Sequence, residues 1–433
     1  MVFVIFLFYF SLRLYPYFKF HIPLGYDAGI YLYSFKTKFY FPPFLPFFAK
    51  TISNISHINL ETLIWPLLFL ASALLFYSIY LFTQNRFNRK VALWAIFILT
   101  VSCLQYRVFY WYYLKNIFAL SFLFFALYCL DRKSIFAYLW GILVVLTHSP
   151  TDFVYFGILL FSLITNKKQF KFYLSNFIFV FTIYLIYYLP IFSVSLLPLL
   201  RGIFKSLIPL SLGGSMGTPS GTFYEPLQAL VLSILYFPLA IVYFIKSKRS
   251  NLKPIYLILL IIAVFRLFFY RRLLIYLDIF SIIFAANILA NLKNNFIKTT
   301  YVLLSLVLII FFVRTTAYPQ INHDEFREIN SLDETIPEIS KIMVTDQAYM
   351  PWLYGYTRHT IISPGYGEND LYWTTAQWQQ FWTGDLATEI ELLKKVPSPI
   401  YIFHSERQPS FPFVTDNKCF EKVSWRVYKF ICN

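Results

Sequence analysis

The chain has 433 residues, of which 58% are hydrophobic, 22% aromatic and only 13% charged, and its mean hydropathy is +0.60. A soluble globular domain carries about 25% charged residues, so this composition excludes an ordinary soluble enzyme, a disordered chain and a small disulfide-rich protein. The net charge of +16 arises in residues 1–317, where 27 Lys and Arg face six Asp and Glu, whereas residues 318–433 carry 10 against 15. This distribution indicates contact with anionic headgroups or polyanionic lipid substrates, and not nucleic acid.

The first 317 residues contain a series of long apolar runs. A membrane-spanning helix needs about 20 apolar residues. Eleven runs approach this length, near 1–18, 61–83, 91–106, 114–130, 134–148, 152–165, 173–192, 226–245, 254–270, 273–290 and 299–317. The sequence therefore predicts a mainly α-helical, polytopic membrane bundle with about 11 transmembrane helices in a domain of residues 1–317. The first run carries Arg13; a cleaved signal peptide is the alternative, but a basic n-region and a small-residue cleavage site are missing from it.

Short basic loops orient these predicted spans. The loops 84–90, 131–133, 166–171, 246–253 and 291–298 all fall on one side of the membrane if the spans alternate. Because cytoplasmic loops are enriched in Lys and Arg, we expect this side to be the cytoplasm. The prediction is an integral protein of a prokaryotic cytoplasmic membrane, with its N-terminus inside. The loop 19–60 and everything after residue 317 then lie outside.

The tail, residues 318–433, differs from the rest and predicts a small α/β domain outside the membrane. The segments 341–346 and 399–405 are typical of buried strands, residues 374–396 of helix, and residues 419–432 of a hairpin or terminal strand. Cys419 and Cys432 either form a disulfide, which an oxidising cell surface would permit, or remain free thiols. We expect Cys103 and Cys129 to pack inside the spans.

Ionisable groups in or beside membrane spans are costly, so each is a candidate functional residue. Asp27 follows Pro23 and Gly25 in the first outer loop, where a helix starting near it would place Tyr31 on the same face. The alternative role for Asp27 is a helix N-cap. His148, Thr151 and Asp152 form a second cluster, THSPTD, at an outer turn that either binds phosphate or caps a helix.

Basic residues at the predicted outer edge are candidates for binding phosphate. Lys115 lies one helical turn after Trp111, and Arg271 and Arg272 are adjacent to each other on the outer side. The structural alternative is an ion pair of Asp278 with Arg271 or Arg266. The Gly- and Ser-rich loop 212–225 is either a linker or a mobile loop that orders over a substrate.

Several short segments resemble the GT-C superfamily of integral-membrane glycosyltransferases. They are GYDAGIY (25–31), residues 114–133 with LTHSPTDFVYF (146–156), YRRLLIYLDIF (270–280) and, in the tail, residues 344–365. The resemblance implies an inverting transfer of sugar from a polyprenyl-phosphate-linked donor to a glycan, lipid or protein acceptor on the non-cytoplasmic face, for the cell envelope. It assigns the role of general base, metal ligand or acceptor-orienting acid to Asp27. Lys115, His148, Arg271 and Arg272 would stabilise the leaving phosphate.

Two departures from the family pattern limit which metal site and which acceptor the resemblance implies. The first loop lacks the paired acidic residues of some branches, which argues against a dedicated metal site. No cofactor is therefore assigned, and a divalent metal stays an open alternative. The signature WWD of oligosaccharyltransferases is also missing, which argues against N-glycosylation of protein. A flippase of lipid-linked glycans and an inactive scaffold of the same fold are the alternatives. A transporter would need polar groups at mid-membrane on several spans, and a scaffold would hold Asp27 away from any cavity.

Overall fold

The computed structural model describes residues 1–25, 27–36, 42–191, 197, 223–247, 252–267, 269–337, 340–363, 372–404 and 418–432. Contacts within the chain divide it into two compact units. The first unit comprises residues 1–19, 40–57 and 65–317, and the second comprises 20–39, 58–64 and 318–433. The predicted domain boundary at residue 317 stays a prediction. The division into compact units shows in addition that part of the first loop packs with the tail.

Helices account for nearly all of the described part of residues 1–317. Their bounds are α1 (Val2–Phe20), α2 (Asp27–Lys36), α3 (Phe44–Ser56), α4 (Leu60–Arg86), α5 (Arg89–Val101), α6 (Cys103–Tyr110), α7 (Leu114–Asp131), α8 (Phe136–Val145), α9 (Ser149–Thr165), α10 (Phe170–Tyr188), α11 (Pro226–Leu232), α12 (Phe237–Lys246), α13 (Lys253–Val264), α14 (Tyr270–Asn291) and α15 (Asn295–Thr316). Side-chain caps start several of them, since Asn88 accepts from Val91 N and Ser102 from Gln105 N.

Each of the eleven predicted apolar runs contains a helix among its described residues. Six stretches are long and apolar enough to cross a membrane: α1, α4, α7, Lys167–Tyr188, α14 and α15. Two more pass as bent pairs, α5 with α6 at 59° and α11 with α12 at 94°. The described chain thus holds six to eight candidate spans, fewer than the predicted 11, because α8, α9 and α13 have only 10–17 residues. The chain is an integral membrane protein, and the predicted helix-bundle class is confirmed.

Burial separates the central helices of this unit from its peripheral ones. The apolar windows of α14 and α7 are 89% and 83% buried, whereas those of α1 and α15 are only 22% and 28% buried. A helix that is apolar on all faces belongs in a core or in lipid. The exposed faces of α1 and α15 are largely apolar, with the exposed charges Lys19 and Arg314 near the helix ends, and they therefore suit contact with hydrocarbon. Helices α7 and α14 form the packed interior that carries polar residues.

The second unit is built on a five-stranded sheet. Its further elements are α16 (His323–Thr335), β1 (Lys341–Val344), α17 (Met350–Tyr356), β2 (Thr360–Ile362), α18 (Thr375–Thr383), α19 (Leu386–Leu393), β3 (Ile400–Phe403), β4 (Phe420–Lys422) and β5 (Val427–Phe430). The strand order is β2-β1-β3-β5-β4, with β2, β1 and β3 parallel and β5 antiparallel to both β3 and β4. Apolar residues on both faces of the sheet form two core clusters.

The predicted elements of the tail are confirmed, with one addition and one interruption. Strands β1 and β3 and the hairpin β4–β5 lie where the sequence placed them, and β2 is an extra three-residue strand. The predicted helix 374–396 is interrupted between α18 and α19 at Gly384 and Asp385, where Asp385 caps α19. Cys419 and Cys432 form a disulfide. Cys103 and Cys129 are buried free thiols, as expected.

Candidate functional site

A hydrogen-bonded group of polar residues lies inside the first unit at the start of α9. His148 Nδ1 lies 3.0 Å from the hydroxyl of Thr151 and 3.1 Å from that of Tyr276. The two hydroxyls are 2.6 Å apart, and all three residues are buried. Thr151 follows His148 by one helical turn because α9 begins at Ser149, while Tyr276 comes from the middle of α14. The polar turn predicted at THSPTD thus faces the interior of the bundle.

Two cations lie close enough to this group to interact with it. Lys115 and Arg272 both act electrostatically on His148. Lys115 is the second residue of α7, and Arg272 precedes Tyr276 by four residues, or about one turn of α14. Three segments that are far apart in sequence therefore supply two cations, an imidazole and two hydroxyls to one region. His148 Nε2 is buried and has no hydrogen-bond partner among the described atoms.

Asp152 lies next to this group and is itself buried. Its side chain is 3% exposed, and neither carboxyl oxygen has a hydrogen-bond partner within the described part of the chain. It interacts electrostatically with Tyr184, Tyr188 and Tyr276. A buried carboxyl group without partners is costly, so its presence indicates a ligand contact or a retained proton.

The structure separates the two adjacent arginines. Arg271 donates from Nε to Glu225 Oε1 at 2.8 Å, and its terminal nitrogen donates to the same oxygen. Tyr270 donates to Glu225 Oε2 at 3.1 Å. Desolvation raises the pKa of Glu225, but the hydrogen bonds from Arg271 and Tyr270 outweigh it and lower this pKa below its ordinary value. Arg271 therefore orders the chain before α11, while Arg272 lies beside the His148 group.

Among the described residues, Asp278 forms hydrogen bonds and neither of the two ion pairs that the sequence offered as alternatives. It accepts hydrogen bonds from Tyr236, from Gln105 at 2.7 Å and from Ser102 at 3.2 Å. Ser102 stands at the bend between α5 and α6, and Tyr236 at the bend between α11 and α12. One buried carboxyl group thus connects both bent helix pairs. The alternative pairing of Asp278 with Arg271 or Arg266 is not found among the described residues.

Asp27 and Tyr31 lie on the short helix of the second unit. The helix α2 begins at Asp27, as predicted, so that the carboxylate lies in its first turn, where the helix dipole favours negative charge. Asp27 is partly exposed, and Tyr31 is 1% exposed. Tyr33 packs against Tyr354 with ring centroids 4.7 Å apart. The helix that carries Asp27 is thus packed against α17 of the tail.

Backbone contact fixes α2 on α17. A Cβ atom added to Gly29 would lie 1.8 Å from the carbonyl oxygen of Pro351, and one added to Gly355 would lie 2.5 Å from Gly29 Cα. Lys36, at the end of α2, donates to the Gly355 carbonyl at 2.6 Å and to Glu61 at 3.0 Å. Only glycine permits such an approach between two helices.

The sequence did not identify Tyr276 or Glu225 as parts of these groups. Tyr276 follows Arg272 at helical spacing, which is a signal that could have found it. The partner of Arg271 comes from another segment, and no local pattern indicates it. Among the residues that the structure describes, no group of three or more His, Cys, Asp or Glu side chains could hold a metal ion.

Comparisons with known proteins define the fold. No family model matches the chain, and no curated protein sequence matches it. Solved structures do. The oligosaccharyltransferase of Archaeoglobus fulgidus in its apo form matches with a TM-score of 0.60 at 12% identity, over 93% of this chain and 68% of that one.

Two further structures from the same organism give the same result. AglB in complex with an inhibitory peptide and a dolichol-phosphate matches at 14% identity and a TM-score of 0.60, over 93% of this chain and 68% of that chain. The oligosaccharyltransferase complex with Zn and sulfate also matches, at 14% identity and a TM-score of 0.60, over 93% of this chain and 67% of that chain. The chain has the fold of these oligosaccharyltransferase structures, which confirms the resemblance at the level of architecture.

Proposed function

We propose that this chain of GT-C fold is a membrane glycosyltransferase that moves a sugar from a polyprenyl-phosphate-linked donor to an acceptor on the non-cytoplasmic face. The observation that carries the proposal is the convergence of two half-buried cations, Lys115 and Arg272, on the buried His148 within this fold. The neighbour AglB is seen with a dolichol-phosphate, which supports a polyprenyl-phosphate lipid as the donor class. The acceptor is a glycan, a lipid or a protein.

The basic group stabilises the phosphate that leaves the sugar. Lys115 and Arg272 are fixed positive charges, and charge-assisted hydrogen bonds to phosphate are the strongest class that side chains offer. Because both cations come from well-packed helices, their orientation costs little at the moment of reaction. Thr151 and Tyr276 hold Nδ1 of His148, so that Nε2 is the ring atom left to donate to a phosphate oxygen.

Arg271 has a supporting role in this proposal. Its bonds to Glu225 hold the first residues of α11 against the start of α14, which carries Arg272. Arg272 therefore replaces Arg271 as the main arginine of the phosphate site. Thr151 and Asp152 line the same region, and Asp152 contributes a carboxyl group that can accept a hydrogen bond from a sugar hydroxyl.

Asp27 acts as the general base, and the buried Tyr31 lies one helical turn after it. It takes the proton from the acceptor hydroxyl, whose oxygen attacks the anomeric carbon on the face opposite to the phosphate. The bond from the anomeric carbon to the phosphate oxygen breaks, the electron pair goes to the lipid phosphate, and the configuration inverts. A side chain in this role typically accelerates the reaction by ~10²–10⁴-fold.

The test is transfer of radiolabelled sugar from a panel of polyprenyl-phosphate donors by the purified full chain and by Asp27→Asn. We expect wild-type transfer and a loss of ~10²-fold or more in the variant. Asp324→Asn is the matched control, because Asp324 also lies in the first turn of a helix of the second unit and is exposed. It should retain wild-type activity. Each reaction is run with and without a chelator, which decides whether a divalent metal is needed.

Other outcomes have defined meanings. Equal transfer by wild type and Asp27→Asn would remove Asp27 from the base role. Binding of the lipid donor without transfer from any member of the panel would refute the transferase and favour a flippase or an inactive scaffold. Lys115→Gln and Arg272→Gln should each lower the turnover number at saturating donor, since the charge of the phosphate develops in the transition state.

A further inference from the structure

Two basic loops of the first unit meet around one cavity. The turn after α7 supplies Lys133, and the segment before and at the start of α10 supplies Lys167, Lys168 and Lys171. The cavity has a volume of about 570 Å³. Both loops belong to the set that the positive-inside pattern places in the cytoplasm. The sequence explains why each loop is basic, but not why the two converge on one concave site.

The four lysines have no carboxylate to neutralise them. The cavity lining contains no acidic residue, and none of the four forms an ion pair with another described residue. The nearest acid in sequence, Asp131, is bound to Arg86 at 2.6 Å. Four like charges around one cavity repel one another, and a bound anion relieves that repulsion.

The remaining lining identifies the kind of anion. Phe170 is 45% exposed beside the lysines, so an apolar surface adjoins the charged one. Gln169 lines the cavity, and its side-chain oxygen has no hydrogen-bond partner in the described chain, so its amide group is available to pair with a hydroxyl group. A ligand with a phosphate, a hydroxyl and an apolar chain satisfies all three features. Basic pockets between cytoplasmic helix ends are suited to anionic headgroups.

We propose that this cavity binds the headgroup of an anionic phospholipid with a free hydroxyl, of the phosphatidylglycerol class, from the cytoplasmic leaflet. The phosphate lies among the four lysines, the headgroup hydroxyl bonds to the amide group of Gln169, and an acyl chain covers Phe170. This site lies apart from the residues assigned to sugar transfer, and it holds whether or not the transferase proposal does.

The test is a native mass-spectrometry titration of the purified full chain in a neutral detergent. The probes are dioleoyl phosphatidylglycerol, dioleoyl phosphatidylcholine and inorganic phosphate. We expect phosphatidylglycerol to bind at least tenfold more tightly than phosphatidylcholine. Replacing the four lysines together by Gln should lower the affinity for phosphatidylglycerol at least tenfold.

The matched control removes the same charge from other basic loops of the predicted cytoplasmic side. It replaces Arg89, Lys90, Lys293 and Lys298 together by Gln, and it should change the affinity less than twofold. An equal loss in this control would reduce the site to general electrostatics and overturn the proposal. Equal binding of both phospholipids would also overturn it, as would displacement of phosphatidylglycerol by millimolar inorganic phosphate.

A second variant guards against failure of the fourfold substitution to fold. Gln169→Glu places a carboxylate among the lysines, where it forms favourable pairs and competes with the lipid phosphate. It should fold at least as stably as wild type and still bind phosphatidylglycerol at least tenfold more weakly. Unchanged binding in a folded Gln169→Glu protein would refute the assignment of this cavity.

Discussion

Gly29 offers the sharpest test of how the proposed base is held. In the interior of a helix, Gly→Ala ordinarily stabilises a protein by ~0.5–1 kcal/mol, because alanine loses less backbone entropy on folding. Here the added Cβ would lie 1.8 Å from Pro351 O, whereas ordinary contact begins at 3.4 Å. The difference, 3.4 − 1.8, requires α2 or α17 to move by about 1.6 Å. We therefore expect Gly29→Ala to reverse the usual sign.

Two effects of Gly29→Ala can be measured separately. Overpacking of this kind costs ~1–3 kcal/mol, so the midpoint of thermal unfolding should fall. A displacement of ~1 Å at a reacting group can lower the rate ~10²-fold, so the turnover number should fall by about that factor. The affinity for the donor lipid should change little, because the proposed phosphate-binding residues belong to the other unit.

Gly157→Ala is the matched control. Gly157 lies in α9, and its added Cβ would meet only the flexible end of Ile255 at 3.0 Å. This variant should be neutral or more stable, with unchanged turnover. A Gly29→Ala protein that is as stable and as active as wild type would refute the conclusion that α2 is fixed by backbone contact with α17.

Three further predictions concern stability. Substitution of Asp278 with Ala removes the acceptor that three buried donors share. Ser102 and Tyr236 can still bond each other at 3.0 Å, and Gln105 still donates to the Ile275 carbonyl at 3.3 Å. The substitution should therefore cost ~1–3 kcal/mol, measured by unfolding in detergent, and Asp278→Asn should cost less. The folded-state pKa of Glu225 lies below its ordinary value of 4.5. Its bond to Arg271 therefore stabilises the fold above pH 4.5, and this stabilisation is lost as the pH falls through the lowered pKa. Over that fall in pH, wild type should lose more thermal stability than Glu225→Gln. The Cys419–Cys432 disulfide closes a loop with a sequence separation of 13, so replacing both residues by Ser should cost ~3 kcal/mol and abolish the effect of a reductant on the unfolding midpoint.

Each of these predictions has an outcome that contradicts it. Equal stability of the Ala and Asn variants at position 278 would mean that the hydrogen bonds contribute nothing. Parallel pH curves for wild type and Glu225→Gln would show that the ion pair is not formed in solution. A wild-type unfolding midpoint that is insensitive to reductant would place both cysteines outside any stabilising disulfide.

Local patterns predicted the elements of this fold well, because hydrophobic length and alternation act within a few residues. The apolar runs became helices, and the segments around Lys341–Val344 and Ile400–Phe403 became strands. The bend at Ser102 was not predicted, since the residue interrupts an apolar run without Pro or Gly. Its bond to Asp278 joins residues 176 positions apart, and no local pattern carries that information.

The candidate site was predicted in part for the same reason. The structure brings His148, Thr151, Lys115 and Arg272 together. The cost of ionisable groups near the membrane pointed to His148, Lys115 and Arg272, and helical spacing from His148 pointed to Thr151. Helical spacing suggested Asp278 as the partner of Arg271, but the actual partner, Glu225, comes from a different segment. Pairings across the chain depend on packing, which the sequence does not display.

The packing of α2 against α17 has a consequence for how the protein is made. Residues 20–39 are synthesised long before residues 318–433, which complete their compact unit. With synthesis at ~5–20 residues per second, the helix that carries Asp27 waits ~15–60 s for its partner to emerge. During that interval its glycine face is uncovered, so a chain released before residue 355 should insert its helices and still lack an ordered Asp27.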